Sequence, residues 1–161
     1  MAHTFERDSA IERTGAGLLK ATVSPDWMGY KAAHGGYLAA LCLAAMQSEL
    51  DEPSRVPRSL TVHFLRGPEA AEVQLEVETL RVGGRLTNMS ARMLQDGRPV
   101  TAALAAFGTP FGDADFQDIE APEAPAPESC PRQRCSVPID HRFELRQALG
   151  NKPFSGADRA R

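Results

Sequence analysis

The stretch His34-Gly35-Gly36-Tyr37-Leu38-Ala39-Ala40-Leu41-Cys42-Leu43-Ala44-Ala45-Met46 decides the fold, because two glycines open a helix that then has almost no polar face. A helix that is apolar all round must be wrapped on every side. From Tyr37 to Met46 ten apolar residues run without a break, too few to cross a bilayer, which takes ~20. The wrapping has to come from protein, and the chain's own strands are expected to supply it.

Working outward, Asp51-Glu52-Pro53-Ser54 ends the helix near Leu50 in a polar turn whose proline cannot continue it. The hydrophobic period then changes to two. Residues 59–66 set Leu60, Val62 and Phe64 against Thr61, His63 and Leu65 before Gly67-Pro68 turns the chain. Residues 72–82 set Val73, Leu75 and Val77 against Gln74, Glu76 and Glu78, a strand with one wet face. Gly83-Gly84 turns into a strand over 85–95, and Asp96-Gly97, a strong hairpin dipeptide, turns into another over 99–107. Upstream, residues 17–24 place Leu19, Ala21 and Val23 on one face of a first strand that Pro25-Asp26 breaks. The expected order is β-α-β-β-β-β, an α+β fold in which a long antiparallel sheet wraps one buried central helix.

The composition bounds the rest. A chain of 161 residues, 42 % of them hydrophobic, can bury a real core. Its net charge of −3 provides no basic field for nucleic acid or an anionic membrane surface, so neither is expected as a partner. Residues 1–13 are polar, without the apolar run of an export signal, which makes the cytoplasm the default location. Past Gly112 the chain turns acidic and then proline-rich, as in Ala121-Pro-Glu-Ala-Pro-Ala-Pro-Glu128, the makeup of a solvated linker. This divides it into a domain over 1–111, a linker over 112–138 and the start of a further unit over 139–161, with a short strand expected at 140–145.

Three cysteines do not build a metal centre here. Cys42 lies in the apolar helix, where a thiol acts as a small hydrophobe. Cys130 and Cys135 are close and His141 follows, but no fourth ligand comes at zinc spacing, so no metal is expected.

Four motifs carry a family resemblance: Val-Ser-Pro-Asp-Trp at 23–27, His-Gly-Gly-Tyr-Leu-Ala-Ala at 34–40, Arg-Ser-Leu-Thr-Val-His-Phe-Leu-Arg at 58–66 and Gln-Asp-Gly-Arg-Pro-Val at 95–100. With them the first 110 or so residues resemble the acyl-CoA thioesterases of the TesB-like group, and the architecture resembles a hotdog fold. Proteins of that group carry two hotdogs in tandem, and residues 141–156 look like the opening of the second. The resemblance implies hydrolysis of a fatty or related acyl-CoA to acid and CoA by direct attack of water, with no cofactor beyond the CoA of the substrate. It also implies pairing with a second hotdog, in the same chain or as a homo-oligomer. The carboxylate, hydroxyl and amide that position water in that group sit mainly in the second half, so this chain corresponds to the N-terminal, non-catalytic half.

The helix entrance is the expected site. Unpaired N–H groups of Gly35, Gly36 and Tyr37, at the positive end of the helix dipole, suit the oxyanion that forms when water attacks a thioester. The same glycines would also serve to let the sheet pack closely over the helix start. No Asp or Glu lies between Tyr37 and Met46, and Glu49 is some 20 Å away along the helix. His34 is then the candidate catalytic residue, as polarising group, base or helix cap. Asp26 is a turn former or part of the pocket mouth, and Trp27 and Tyr30 either floor an acyl tunnel or pack. His63 reads as a strand residue. Lys31, Arg58, Arg66, Arg85 and Arg98 are the cations available to CoA phosphates. Two alternatives stand beside hydrolysis: an acyl-thioester hydratase or dehydratase using Asp26 and His34, and a non-enzymatic acyl-binding or pairing domain.

Overall fold

The computed structural model describes residues 4–110, 112, 117–133, 136–151 and 156. A short helix α1 (Thr4–Asp8) and strands β1 (Glu12–Gly15) and β2 (Leu18–Thr22) precede a 3-10 turn, Pro25–Trp27, and the central helix α2 (Gly35–Ser48). Then come β3 (Val56–Phe64), β4 (Glu72–Val82), β5 (Leu86–Gln95) and β6 (Arg98–Gly108). All six strands form one sheet in the order β1-β2-β4-β5-β6-β3, antiparallel throughout. The strands expected at 59–66, 72–82, 85–95 and 99–107 are β3 to β6. The start of the chain differs, because α1 and β1 add two elements where the polar N-terminus offered no apolar period.

Alternation builds the inner face. Leu19, Ala21, Val73, Leu75, Met89, Ala91, Met93, Ala103, Ala105 and Phe107 are buried against Tyr37, Leu38, Leu41, Cys42, Ala45 and Met46 of α2. Asp96 and Gly97 both take positive φ, 51° and 71°, the geometry of the tight turn that joins β5 to β6 with the right twist. The helix is not wrapped on every side, however. Ala39, Ala40, Leu43 and Ala44 are only half buried, since a single sheet has one inner face to offer.

Beyond β6 the chain returns to the helix entrance. Residues Pro138–Arg142 form a 3-10 helix where a short strand over 140–145 was expected. Pro138 presets a helical φ, and the Asp140 carboxylate accepts from the Ser136 and Val137 amides, so the turn prevails over extension. Ile139 is buried, and its amide donates to the Met28 carbonyl (3.2 Å). Arg142 pairs with Asp26, and Phe143 meets Trp27 edge to face at 6.0 Å.

Candidate functional site

A cleft of about 440 Å³ opens at the N-terminus of α2, lined by Ala32, Ala33, Gly35, Leu38, Phe64, Leu65, Arg66 and Gly67. It lies between the helix entrance and the end of β3, a terminal strand of the sheet. The Leu65 and Arg66 amides donate to the Val100 carbonyl (2.9 and 3.2 Å), which fixes this wall to β6. Arg66 is the cation of the lining, and no carboxylate is among the residues that form it.

The helix entrance uses its amides unequally. His34 is the N-cap, and its Nδ1 accepts from the Gly36 amide at 3.2 Å. The Tyr37 amide donates to the His34 carbonyl at 3.0 Å, closing the first turn. Of the three amides expected to face an oxyanion, only that of Gly35 has no acceptor among the described residues. A neutral imidazole whose Nδ1 accepts carries its proton on Nε2, so His34 can donate to a carbonyl oxygen but has no free basic nitrogen. Gly35 serves packing as well: a Cβ there would stand 2.9 Å from Phe64 Cζ, so the ring fills the space a side chain would take.

The two aromatic candidates lie elsewhere. Trp27 and Tyr37 are buried, stacked at 5.2 Å and 13° between planes. Tyr37 donates its hydroxyl hydrogen to the Asp8 carbonyl (2.6 Å), with the Thr22 carbonyl at 3.2 Å, and its oxygen accepts from the Ser24 amide. Trp27 Nε1–H donates to Asp8 Oδ2 (3.0 Å), and Phe5 packs edge-on against its ring. Burial pushes the Asp8 carboxyl up, but the Trp27 and Arg7 hydrogen bonds and the Arg7 and Arg142 charges outweigh it and hold it below the ordinary carboxylate value. This cluster anchors α1 and the 3-10 turn beneath the helix entrance, and neither ring lines the cleft.

Asp26 has its backbone amide on Ser24 Oγ, as a turn former should, and its carboxylate on Arg142. Asp26 and His34 are therefore engaged separately, with no hydrogen bond between them among the described residues. Glu49 caps the far end of α2, where Arg13 Nη2 (2.7 Å) and the Gly17 amide (3.0 Å) hold its Oε2. His63 stands on the opposite face of the sheet beside Glu76, Ser90 and Arg92, lining a separate trough of about 350 Å³. Tyr30 is exposed.

Cys42 is fully buried, and desolvation pushes its thiol up to about 12, as expected of a core hydrophobe. Cys130 is buried with its Sγ–H directed at the Ala126 carbonyl, and Cys135 lies outside the described residues. Among the described residues no three His, Cys, Asp or Glu side chains converge on a common point. No described helix is long and apolar enough to cross a membrane.

An antiparallel sheet curled over one central helix, with a cleft at that helix's N-terminus, is a hotdog fold. The chain belongs to the acyl-CoA thioesterase N-terminal domain family, whose model matches residues 23–108. Among solved structures it is similar to a conserved hotdog protein of unknown function from Alicyclobacillus acidocaldarius, with a TM-score of 0.83 and 25 % identity over 94 % of this chain and 57 % of that one. It is similar to a tesB protein of Mycobacterium avium subs paratuberculosis, with a TM-score of 0.67 and 26 % identity over 78 % of this chain and 49 % of the other. The acyl-CoA thioesterase II TesB2 of Mycobacterium marinum shares the fold, with a TM-score of 0.67 and 24 % identity over 80 % and 48 % of the two chains. The chain thus spans about half the length of these relatives. No curated protein sequence matches it.

Proposed function

We propose that the chain is the N-terminal hotdog of an acyl-CoA thioesterase, which binds the acyl thioester at the α2 entrance and relies on a second hotdog for the base that activates water. The observation that carries this reading is the composition of the cleft: the Gly35 amide with no acceptor among the described residues, one cation at Arg66, apolar walls, and no carboxylate in the lining.

In this reading the thioester carbonyl oxygen accepts from the Gly35 amide, and the helix dipole supports the negative charge that grows there as water attacks. Arg66, whose guanidinium has no hydrogen bond or ion pair among the described residues, is placed to meet a phosphate of CoA at the cleft rim. Leu38 and Phe64 receive the start of the acyl chain. His34 holds the first helical turn, so its role is to present the Gly35 amide. Attack by water still needs a proton acceptor, and His34 Nδ1 is occupied while Glu49 is at the wrong end of the helix.

The partner's place follows from what is left uncovered. β3 is a sheet edge with Leu65 exposed beside it, and the half-buried stripe Ala39, Ala40, Leu43 and Ala44 lies on α2. A second hotdog, from the same polypeptide or another copy, would cover both and bring its own groups to the cleft. Residues 1–111 then form one unit, 112–138 the linker and 139–161 the approach to the next. The test is binding of a non-hydrolysable acyl-CoA thioether to the wild type and Arg66→Ala: micromolar-range binding weakened about tenfold by the substitution supports the reading, and equal binding by both opposes it.

A further inference from the structure

One polar atom of the core has no use in the fold. Thr101 on β6 is fully buried, and its Oγ1 finds no hydrogen-bond partner among the described residues. A hydroxyl can rotate toward any nearby carbonyl, so one left buried and unpaired is costly and uncommon. Valine would have the same branched shape at that point without the cost.

Its position gives the atom a purpose. Thr101 shares the helix-facing side of β6 with Ala103, Ala105 and Phe107, and its cross-strand partner on β3 is Phe64. Side chains so opposed on one face stand about 4.5–5.5 Å apart at Cβ. Phe64 in turn lines the cleft and rests on Gly35. Phe64 is 54 % exposed, far more than the buried core around α2. The backbone beside it is fixed, since the Leu65 and Arg66 amides both hold the Val100 carbonyl next to Thr101. Of this wall, the side chain and not the backbone is the part that can turn, away from its contact with Gly35 and toward solvent.

We propose that Phe64 is a swinging cover and that the Thr101 hydroxyl is the floor of a polar subsite behind it, which selects acyl chains carrying a hydroxyl or oxo group close to the thioester. This rests on the reading of the cleft as the acyl-thioester site. With the carbonyl at the Gly35 amide, the chain begins its path along the Phe64 ring. A plain chain needs only apolar contact with Leu38 and that ring. A chain with an oxygen a bond or two from the carbonyl carries a polar atom that must be partnered once buried, and a threonine hydroxyl can donate to an oxo group or accept from a hydroxyl.

The test is calorimetric binding of a 3-hydroxyacyl-CoA and of the plain acyl-CoA of equal length to the full chain, as wild type, Thr101→Val and Thr101→Ser. The wild type is expected to bind the hydroxylated ligand about fivefold more tightly, the ratio one net neutral hydrogen bond supplies. Thr101→Val should lose that ratio, keep its affinity for the plain ligand and melt no lower than wild type, while Thr101→Ser should keep the ratio. Equal wild-type affinities, or a ratio that survives in Thr101→Val, would overturn the subsite and leave the acyl-CoA reading standing. Failure of both ligands to bind would overturn that reading and the subsite with it.

Discussion

Gly35 and Phe64 are packed as one unit, with ring carbons 2.9, 3.2 and 3.3 Å from the point where a Cβ on residue 35 would stand. Gly35→Ala must turn the ring aside, and because Phe64 is half exposed the cost falls at the low end of the about 1–3 kcal/mol of overpacking and roughly cancels the ~1 kcal/mol alanine regains over glycine in a helix. A net change of less than about 1 kcal/mol is expected. In a Phe64→Ala background the same substitution should become stabilising, and urea denaturation of the four proteins measures the coupling.

Arg55 should be a stability determinant of the sheet. Its guanidinium is buried, with Nη1 donating to Thr87 Oγ1 (2.7 Å) and Nη2 to the Gly83 carbonyl (2.9 Å). Nε lies 2.5 Å from Glu52 Oε2, an ion-pair contact without hydrogen-bond geometry. It ties the turn after α2 to the tip of the β4–β5 hairpin. Arg55→Ala leaves those groups unpaired and is expected to cost about 2–4 kcal/mol, seen as a lower denaturation midpoint, while Glu52→Ala, at an exposed partner, should cost under about 1 kcal/mol.

Asp8 and Cys42 act on stability at opposite ends of the pH range. The Asp8 carboxyl titrates lower in the folded chain than its ordinary 3.8, so its contribution is complete above that value and is lost as pH falls below it. Asp8→Asn should flatten the acid limb of a stability–pH curve. Cys42 is raised from 9.0 to about 12 by burial, so its contribution is complete below pH 9 and is lost as pH rises from 9 toward 12, where only the unfolded chain ionises. Cys42→Ala should flatten the alkaline limb below pH 10, and the native thiol should resist alkylating reagents at pH 8 until the chain unfolds.

The parts of the fold readable in the sequence were those fixed by local pattern. Alternation at Val73, Leu75 and Val77, the Asp96-Gly97 turn and the apolar run of α2 each declare themselves within a few residues. α1 and β1 do not, because α1 is held by Asp8 and Phe5 reaching Trp27 and Tyr37, contacts between distant parts of the chain. The same limit applies to the site. Gly35, Gly36 and His34 were legible as a helix entrance, but which amide remains unused depends on the ring tautomer and the first turn. Phe64 looked like one more core residue of an alternating strand, and only the folded chain shows that its ring lies on Gly35 and that Thr101 is its partner across to β6. Arg55 gave no signal, since its partners are a threonine and a glycine turn some thirty residues away.

The open helix stripe and the β3 edge predict self-association. At tens of micromolar the isolated chain should scatter light as a dimer or larger species. Leu43→Glu, which places a charge on the half-buried stripe, should shift it toward monomer with unchanged circular dichroism. A monomeric wild type at that concentration would contradict the pairing.

Thiol release from a panel of short to long acyl-CoAs by the purified, folded chain tests the central claim most directly. The account predicts binding without turnover, because the cleft lining offers the Gly35 amide and Arg66 but no carboxylate, and His34 Nδ1 is taken by the Gly36 amide. Turnover abolished by His34→Ala would contradict it and locate the chemistry in this half.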